Sequence, residues 1–102
     1  MAELTVLSWR DIPAQVIARE GAASERAELP KRFQAAIDAA AMKAGLVGSD
    51  DYLDQWRRQT RPCGADLRAE VEAEVARLEA EHPQELLRRL IRAGGLRDVA
   101  AG

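Results

Sequence analysis

The sequence at residues 4–19 reads LTVLSWRDIPAQVIAR, and β-branched and aromatic side chains cluster there. Such side chains favour an extended backbone because they fit a pleated surface. The run is interrupted at Asp11 to Pro13, since proline fixes its own φ angle and moves the preceding residue away from helical geometry. We therefore predict a β-hairpin over residues 3–19, with Pro13 at the start of the second strand because proline cannot donate to a strand ladder.

The first strand of this hairpin has apolar side chains on both faces. Side chains alternate along a strand, so Leu4 and Val6 lie on one face. Leu7 and Trp9 lie on the other face. An isolated hairpin is only marginally stable in water, so helices must cover at least one of the two faces. The second face is then left for a third strand, a second copy of the chain or a partner protein.

The remainder of the chain predicts helices within a single domain that spans residues 1–102. Residues 20–28 are small and polar, which fits either a loop or a weak third strand near residues 25–29. The predicted fold class is α+β, with an N-terminal β-hairpin or three-stranded sheet packed against three to four α-helices. Prolines and glycines separate the helical segments, and residues 96–102 are expected to form a disordered tail. The predicted helices cover about residues 30–44, 50–58, 65–81 and 83–93.

Length and composition indicate a globular protein without a strong electrostatic field. The net charge is −2 over 102 residues, so no global charge attracts nucleic acid or an anionic membrane. The single cysteine excludes an internal disulfide and fits a reducing compartment. No signal peptide and no apolar stretch of membrane-spanning length is visible, which predicts a cytoplasmic protein that does not contact a membrane.

The sequence lacks the residue patterns of common catalytic and metal sites. Zinc takes three or four ligands, whereas the one cysteine, Cys63, and the one histidine, His82, lie at unrelated positions. The two could form a Cys–His pair, but nothing around Cys63 resembles a nucleophile loop, so we expect an inert thiol. The glutamates of the third predicted helix are dispersed over what we interpret as a solvated face. We therefore predict no enzyme activity, no metal and no cofactor.

Two clusters combine tryptophan with arginine, a pairing that suits phosphate, carboxylate or single-stranded nucleic acid. They supply the candidate partner- or ligand-binding residues of the chain: Trp9, Arg10, Asp11, Gln15, Trp56, Arg57 and Arg58. For the first cluster the alternative is a turn in which Trp9 belongs to the core, and for the second it is plain packing. Arginines in the fourth predicted helix are expected to pair with glutamates of the helix before it, packed antiparallel beside it.

The run WRDIPAQV at residues 9–16 resembles the bacterial virulence factor family, a module also found in conserved virulence factor C. The resemblance extends from about residue 3 to about residue 90. Its further matching residues are Leu29-Pro30, Arg32-Phe33-Gln34, Ala36-Ile37-Asp38, Tyr52-Leu53 and Trp56. The family name describes an outcome and carries no catalytic residues. The resemblance also implies gene neighbours of the tetrahydrofolate- and corrinoid-dependent methyl-transfer class, and hence a small accessory subunit in one-carbon metabolism.

Three hypotheses about function follow. The first is a non-catalytic adaptor that docks a larger protein or a second copy, and it requires apolar hairpin side chains that the helices leave exposed. The second is a binder of a small polyanionic ligand such as a folate, which requires a cleft joining Arg10 to Arg57 and Arg58, with a tryptophan nearby. The third, which the acidic total disfavours, is a single-stranded nucleic-acid binder that uses Trp56 and its arginines.

Overall fold

A computed structural model describes residues 1–97, in which four strands and four helices form. The strands make one antiparallel sheet in the order β3-β2-β1-β4, which confirms the α+β class. None of the described helices is long and apolar enough to cross a membrane. From position 98 onward, the predicted tail lies outside the described residues. In chain order the elements are β1 (Glu3–Trp9), β2 (Ile12–Glu20), β3 (Ala23–Glu28), α1 (Lys31–Lys43), α2 (Asp50–Asp54), β4 (Trp56–Pro62), α3 (Leu67–Glu81) and α4 (Gln84–Arg92).

The β1–β2 hairpin forms where the sequence predicts it and differs at its turn. β2 begins at Ile12, earlier than expected, and Pro13 is its second residue. The register of β1 against β2 shifts between Leu7 and Ser8, and Ser8 is the partner of Pro13. A proline costs the ladder little at such an irregularity, because regular bonding is already interrupted there.

The strand β4 is absent from the sequence prediction and takes the place of the end of a predicted helix. The helix predicted over residues 50–58 ends at Asp54, and Trp56–Pro62 instead pairs with β1. Tyr52 and Trp56 have helical spacing, which favoured the longer helix. β4 is an edge strand whose side chains are almost all exposed, so it lacks the apolar alternation that would predict a strand.

Helix α3 covers one face of the sheet. It packs across β2 and β3, and its buried side chains include Val71 and Leu78. Val16 and Ala18 of β2 are fully buried on this side. Cross-strand partners share a face, so Leu4, the partner of Ala18, lies on the α3 side as well. Because α3 lies mainly over β2 and β3, the β1–β4 half of the same face remains accessible.

Helices α1 and α4 pack against each other beside the hairpin turn. The Arg10 side chain donates a hydrogen bond from Nη1 to the Gly94 carbonyl at 2.9 Å. The Asp11 N–H donates to the Gly95 carbonyl at 2.8 Å. Trp9 is enclosed in the core at this end of the sheet. The segment after α4 therefore fastens the hairpin turn to the helices.

Candidate anion-binding cleft

A cleft of about 360 Å³ opens between α3 and the β1–β4 half of the sheet. This volume lies within the range usual for small-molecule sites. Two carboxylates, Asp11 and Glu74, and one histidine, His82, line it. The basic residues of its lining are Arg10, Arg57, Arg61, Arg77 and Arg97.

The register of β4 against β1 sets the order of side chains along the cleft. Gln59 is the partner of Val6, and Arg61 is the partner of Leu4, so these four residues share the face that α3 partly covers. Arg57 lies two residues before Gln59 and therefore on the same face. A strand rises about 3.3 Å per residue, which separates Arg57 from Arg61 by about 13 Å. Charged groups thus lie at both ends of the cleft, with the apolar Val6 and the polar Gln59 between them.

The end of the cleft beside the hairpin turn is the more positive one. Arg57 Nη1 lies 3.5 Å from Asp11 Oδ1, and the Arg57 side chain is 52% exposed. The other Asp11 oxygen accepts a hydrogen bond from the Arg97 backbone N–H at 2.5 Å. Arg10 lines the same end. Among the described residues, the guanidinium group of Arg57 therefore lies beside the Asp11 carboxylate, and Arg10 and Arg97 add positive charge to the lining of the same cleft.

The opposite end is neutralised by Glu74, which is only 3% exposed. Arg61 donates from Nη2 to Glu74 Oε1 at 3.2 Å, and Arg77 donates to both carboxylate oxygens. These hydrogen bonds, from Arg77 first and also from Arg61, lower the pKa of Glu74 despite its burial. Glu74 is therefore ionised at neutral pH, and it ties β4 to α3.

The burial of Glu74 corrects the interpretation of α3 as having all its glutamates on a solvated face. The buried positions of α3 are Leu67, Val71, Glu74 and Leu78. Glu74 lies three residues after Val71 and four before Leu78, which is the spacing of the apolar stripe itself. That spacing is the signal in the sequence that identifies Glu74 as an inward-facing carboxylate.

His82 closes the cleft near the end of α3 and is buried. Its Nδ1 lies 2.8 Å from the Leu78 carbonyl, which can only accept, so Nδ1 carries the proton. Its Nε2 then accepts from the Arg97 guanidinium at 3.1 Å. Burial lowers the pKa of His82, so the ring is neutral at pH 7. With both ring nitrogens engaged, His82 does not form a pair with Cys63.

Cys63 follows β4 and is partly buried. Its N–H donates to the Ala2 carbonyl at 3.1 Å, which extends the pairing beyond the end of β4. Partial burial and the nearby Glu70 carboxylate raise the pKa of the Cys63 thiol. A thiol with a raised pKa is a weak nucleophile at neutral pH, which agrees with the expectation of an inert side chain.

Three of the seven candidate residues meet in the cleft, namely Arg10, Asp11 and Arg57. Trp9 does not join them, because its ring is 0% exposed and its Nε1 donates to the Tyr52 carbonyl at 2.9 Å. The alternative considered for this cluster, a turn with Trp9 in the core, is therefore the correct one. An exposed tryptophan at the hairpin tip is excluded.

The other three candidates lie away from the cleft. Gln15 and Trp56 line a depression near the start of α1. Arg58 is the partner of Leu7, which places it on the face opposite to Arg57. Arg57 and Arg58 therefore do not form one platform with Trp56, as a single-stranded nucleic acid would require.

The arginines of α4 do not pair with α3 in the part of the chain that the structure describes. Helix α4 packs against α1. The ion pair that the described part of α4 forms lies within the helix, between Arg89 and Glu85 at 4.0 Å. The expected antiparallel pairing is therefore wrong. Instead, Arg77 of α3 pairs with the α3 carboxylates Glu74 and Glu81.

Comparison with known proteins gives one match. The virulence factor family model matches residues 7–91, which run from the end of β1 to the end of α4. Neither the search of curated proteins nor the search of solved structures returned a match. The family match spans well over half of the 102 residues, and the chain belongs to the virulence factor family.

Proposed function

We propose that the protein is a non-catalytic binding module for a small anionic ligand held in the cleft between α3 and β4. The observation that supports this function is the convergence of Arg10 and Arg57, from distant parts of the sequence, on one cleft. Guanidinium groups suit carboxylate and phosphate because their planar donors can bind two oxygens at once.

The charge balance of the cleft also favours an anion. Of the residues that the structure describes, five arginines and two carboxylates line the cleft, an excess of three positive charges, while the whole chain carries −2. A concave surface of one sign concentrates the electrostatic potential and raises the local concentration of ligands of the opposite sign. An anionic group bound in the cleft would offset part of this excess.

The hydrogen bonds of Glu74 and His82 inside the protein support a function in binding and not in catalysis. Glu74 is held ionised by Arg61 and Arg77, so it cannot serve as a general acid at neutral pH. His82 uses one ring nitrogen as a donor to a carbonyl and the other as an acceptor from Arg97. A general base needs an available nitrogen or oxygen facing the substrate, and neither group offers one in this arrangement.

Thermal unfolding and calorimetric titration test this function with phosphate, citrate and a folate as probes. A ligand at a hundred times its Kd stabilises the folded protein by about 2.7 kcal/mol, which is a clear shift in Tm. Arg57→Gln should weaken binding by about tenfold or more, since it removes a charge-assisted contact. The matched control is Arg68→Gln, because Arg68 lies on α3 outside the cleft and is 80% exposed. Equal losses in both variants, or no binding by any probe, would contradict the proposal.

Docking to a larger protein is a second candidate, supported by apolar side chains that stay partly exposed on the sheet face opposite α3, here called the open face. Leu7 and Ile17 are partly exposed on this face, and Thr5 is the partner of Ile17 there. The enclosure of Trp9 removes the hairpin tip as a docking point, so the surface in question is this open face. The family resemblance suggests a methyl-transfer or tetrahydrofolate enzyme as the partner, and a second copy of the chain is the other option.

Native co-purification and light scattering test the docking role. Leu7→Thr removes the apolar group from the open face but keeps β propensity. If the protein docks through the open face, the partner should no longer co-purify with Leu7→Thr. The partner should still co-purify with Val6→Thr, which changes the α3 side of the sheet. A monomer that co-purifies with nothing would argue against this role.

A further inference from the structure

We infer that the ligand is amphiphilic, with one anionic headgroup at the hairpin end of the cleft and an apolar body lying along Val6 toward Arg61. This inference rests on the proposed anion-binding function and adds a ligand class and an orientation to it. The chemical class is a carboxylate or phosphate monoester that carries an aryl or branched-alkyl body.

The position of the headgroup follows from a difference in charge between the two ends of the cleft, because the arginines at one end are paired with carboxylates more fully than those at the other. At the far end, Arg61 and Arg77 share the buried carboxylate of Glu74, and Arg77 also pairs with Glu81 at 2.8 Å. These arginines are already neutralised inside the protein, so an added anion there would compete with Glu74.

The hairpin end is less fully compensated. Within residues 1–97, Asp11 is the one carboxylate that lines this end, and the distance of 3.5 Å to Arg57 is longer than a direct hydrogen bond. Arg57 is half-exposed and can turn toward a ligand without breaking a short contact. Arg10 adds a second positive charge on the same side. The strongest unmet attraction for an anion is therefore at this end.

The apolar body follows from the middle of the cleft. Val6 is partly exposed although it lies in a central strand, and its neighbour on β4 is Gln59. Leu4 and Leu78 continue the apolar lining, and both are buried. Apolar surface left in contact with water beside a cationic end would be covered by a ligand that has an apolar body.

The dimensions exclude a bare inorganic anion as the best ligand. About 13 Å separate Arg57 from Arg61 along β4, whereas a phosphate fills only one end of such a distance. A ligand bound at Arg57 with a body of a few methylene groups or one aromatic ring would reach past Val6. A compact polycarboxylate would instead place charge against the apolar side chain of Val6.

An NMR titration with acetate, butanoate, phenylacetate, 4-phenylbutanoate and inorganic phosphate tests the inference. Affinity should rise about two- to fourfold per added methylene until the body fills the cleft. Arg57→Gln should weaken every carboxylate by a similar factor, because all share the headgroup contact. Val6→Thr, which keeps the shape and replaces one methyl group with a hydroxyl, should flatten the rise in affinity along the series and leave the affinity for acetate unchanged.

The outcomes separate this inference from the function on which it rests. Equal affinities across the series would overturn the amphiphilic ligand and leave anion binding intact. A larger loss in Arg61→Gln than in Arg57→Gln would overturn the orientation. Failure of every probe, phosphate included, would overturn both the inference and the function. Leu7→Thr is the control for Val6→Thr, since it also introduces a threonine into β1 but on the opposite face.

Discussion

Two Trp-Arg dipeptides, Trp9-Arg10 and Trp56-Arg57, lie side by side in the sheet, because Trp9 and Trp56 are cross-strand partners. Trp9 is 0% exposed, whereas Trp56 is only partly buried. Arg10 is committed to two hydrogen bonds of 3.1 and 2.9 Å and lies over the Trp9 ring. Arg57 is 52% exposed and has one ion pair of 3.5 Å. The Trp-Arg dipeptide therefore has a structural role at the hairpin turn, where helices enclose it. On the edge strand β4 the same dipeptide is accessible to solvent.

The largest difference between the two dipeptides should appear when each tryptophan is replaced. Trp9→Ala should destabilise the protein by about 3–5 kcal/mol, because it leaves a cavity in a site that cannot collapse fully. It also leaves the Tyr52 carbonyl without its hydrogen bond from Trp9. Trp56→Ala should cost roughly 1–2 kcal/mol, since less apolar area is lost. Urea unfolding followed by far-UV circular dichroism measures both, and equal costs would remove the distinction between core and surface.

The next largest effect concerns the residue that encloses Trp9. Gly95 has φ of 92°, and a Cβ atom there would lie 2.9 Å from Cζ3 of the Trp9 ring. Gly95→Ala should therefore cost about 2–3 kcal/mol, from backbone strain together with overpacking. Gly21→Ala is the control: its φ of 60° carries the strain, but no atom lies within 4 Å of the added Cβ. A cost at Gly95 no greater than at Gly21 would show that the turn is not packed tightly against the ring.

The contrast between the two dipeptides also shows what the sequence can and cannot predict. The first strand, the break near Pro13 and the helix ends at glycine depend on local chemistry, so they are visible in the sequence. Gly45 and Gly94 indeed have positive φ, of 73° and 69°, at the ends of α1 and α4. The strand β4 was not visible because its partner, β1, lies about fifty residues earlier, and pairing with it leaves no buried face.

The candidate cleft was only half predictable for a related reason. Arg10, Asp11 and Arg57 could be selected from the sequence because each lies one or two residues after a tryptophan. Arg77 and Glu74 belong to the cleft because α3 crosses the sheet at one particular place, and no local pattern records that crossing. The spacing of Glu74 within the apolar stripe of α3 was the one available signal.

The far end of β4 provides a further test, since there the edge strand is tied to the core through Glu74. Glu74→Gln should cost about 1–2 kcal/mol at pH 7, because Arg61 and Arg77 lose the carboxylate they share. The pKa of Glu74 is lowered in the folded state, so its contribution is present above the ordinary glutamate pKa and is lost as pH falls through the lower, folded value. Wild type and variant should therefore converge only as pH falls below the lowered, folded pKa of Glu74.

Urea unfolding at neutral and acidic pH measures this convergence. Glu72→Gln is the control for Glu74→Gln, because its ion pair with Arg68 is exposed on both sides and should contribute little. A difference between wild type and Glu74→Gln that stays constant with pH would show that packing, and not charge, accounts for the role of Glu74.

The smallest effect on stability, and the sharpest on function, should come from the two arginines of the compared dipeptides. Arg10→Gln should cost about 1 kcal/mol, because it loses hydrogen bonds that fasten the segment after α4. Arg57→Gln should cost less than about 0.5 kcal/mol, as expected for a half-exposed ion pair. Ligand binding should show the reverse order, with Arg57→Gln losing more than Arg10→Gln when phosphate is titrated under folding conditions. Since both arginines line the same cleft, only their prior commitments inside the protein can produce this reversal. Equal losses of binding in the two variants would contradict this prediction. They would show that Arg10, despite its hydrogen bonds inside the protein, contacts the ligand as readily as Arg57.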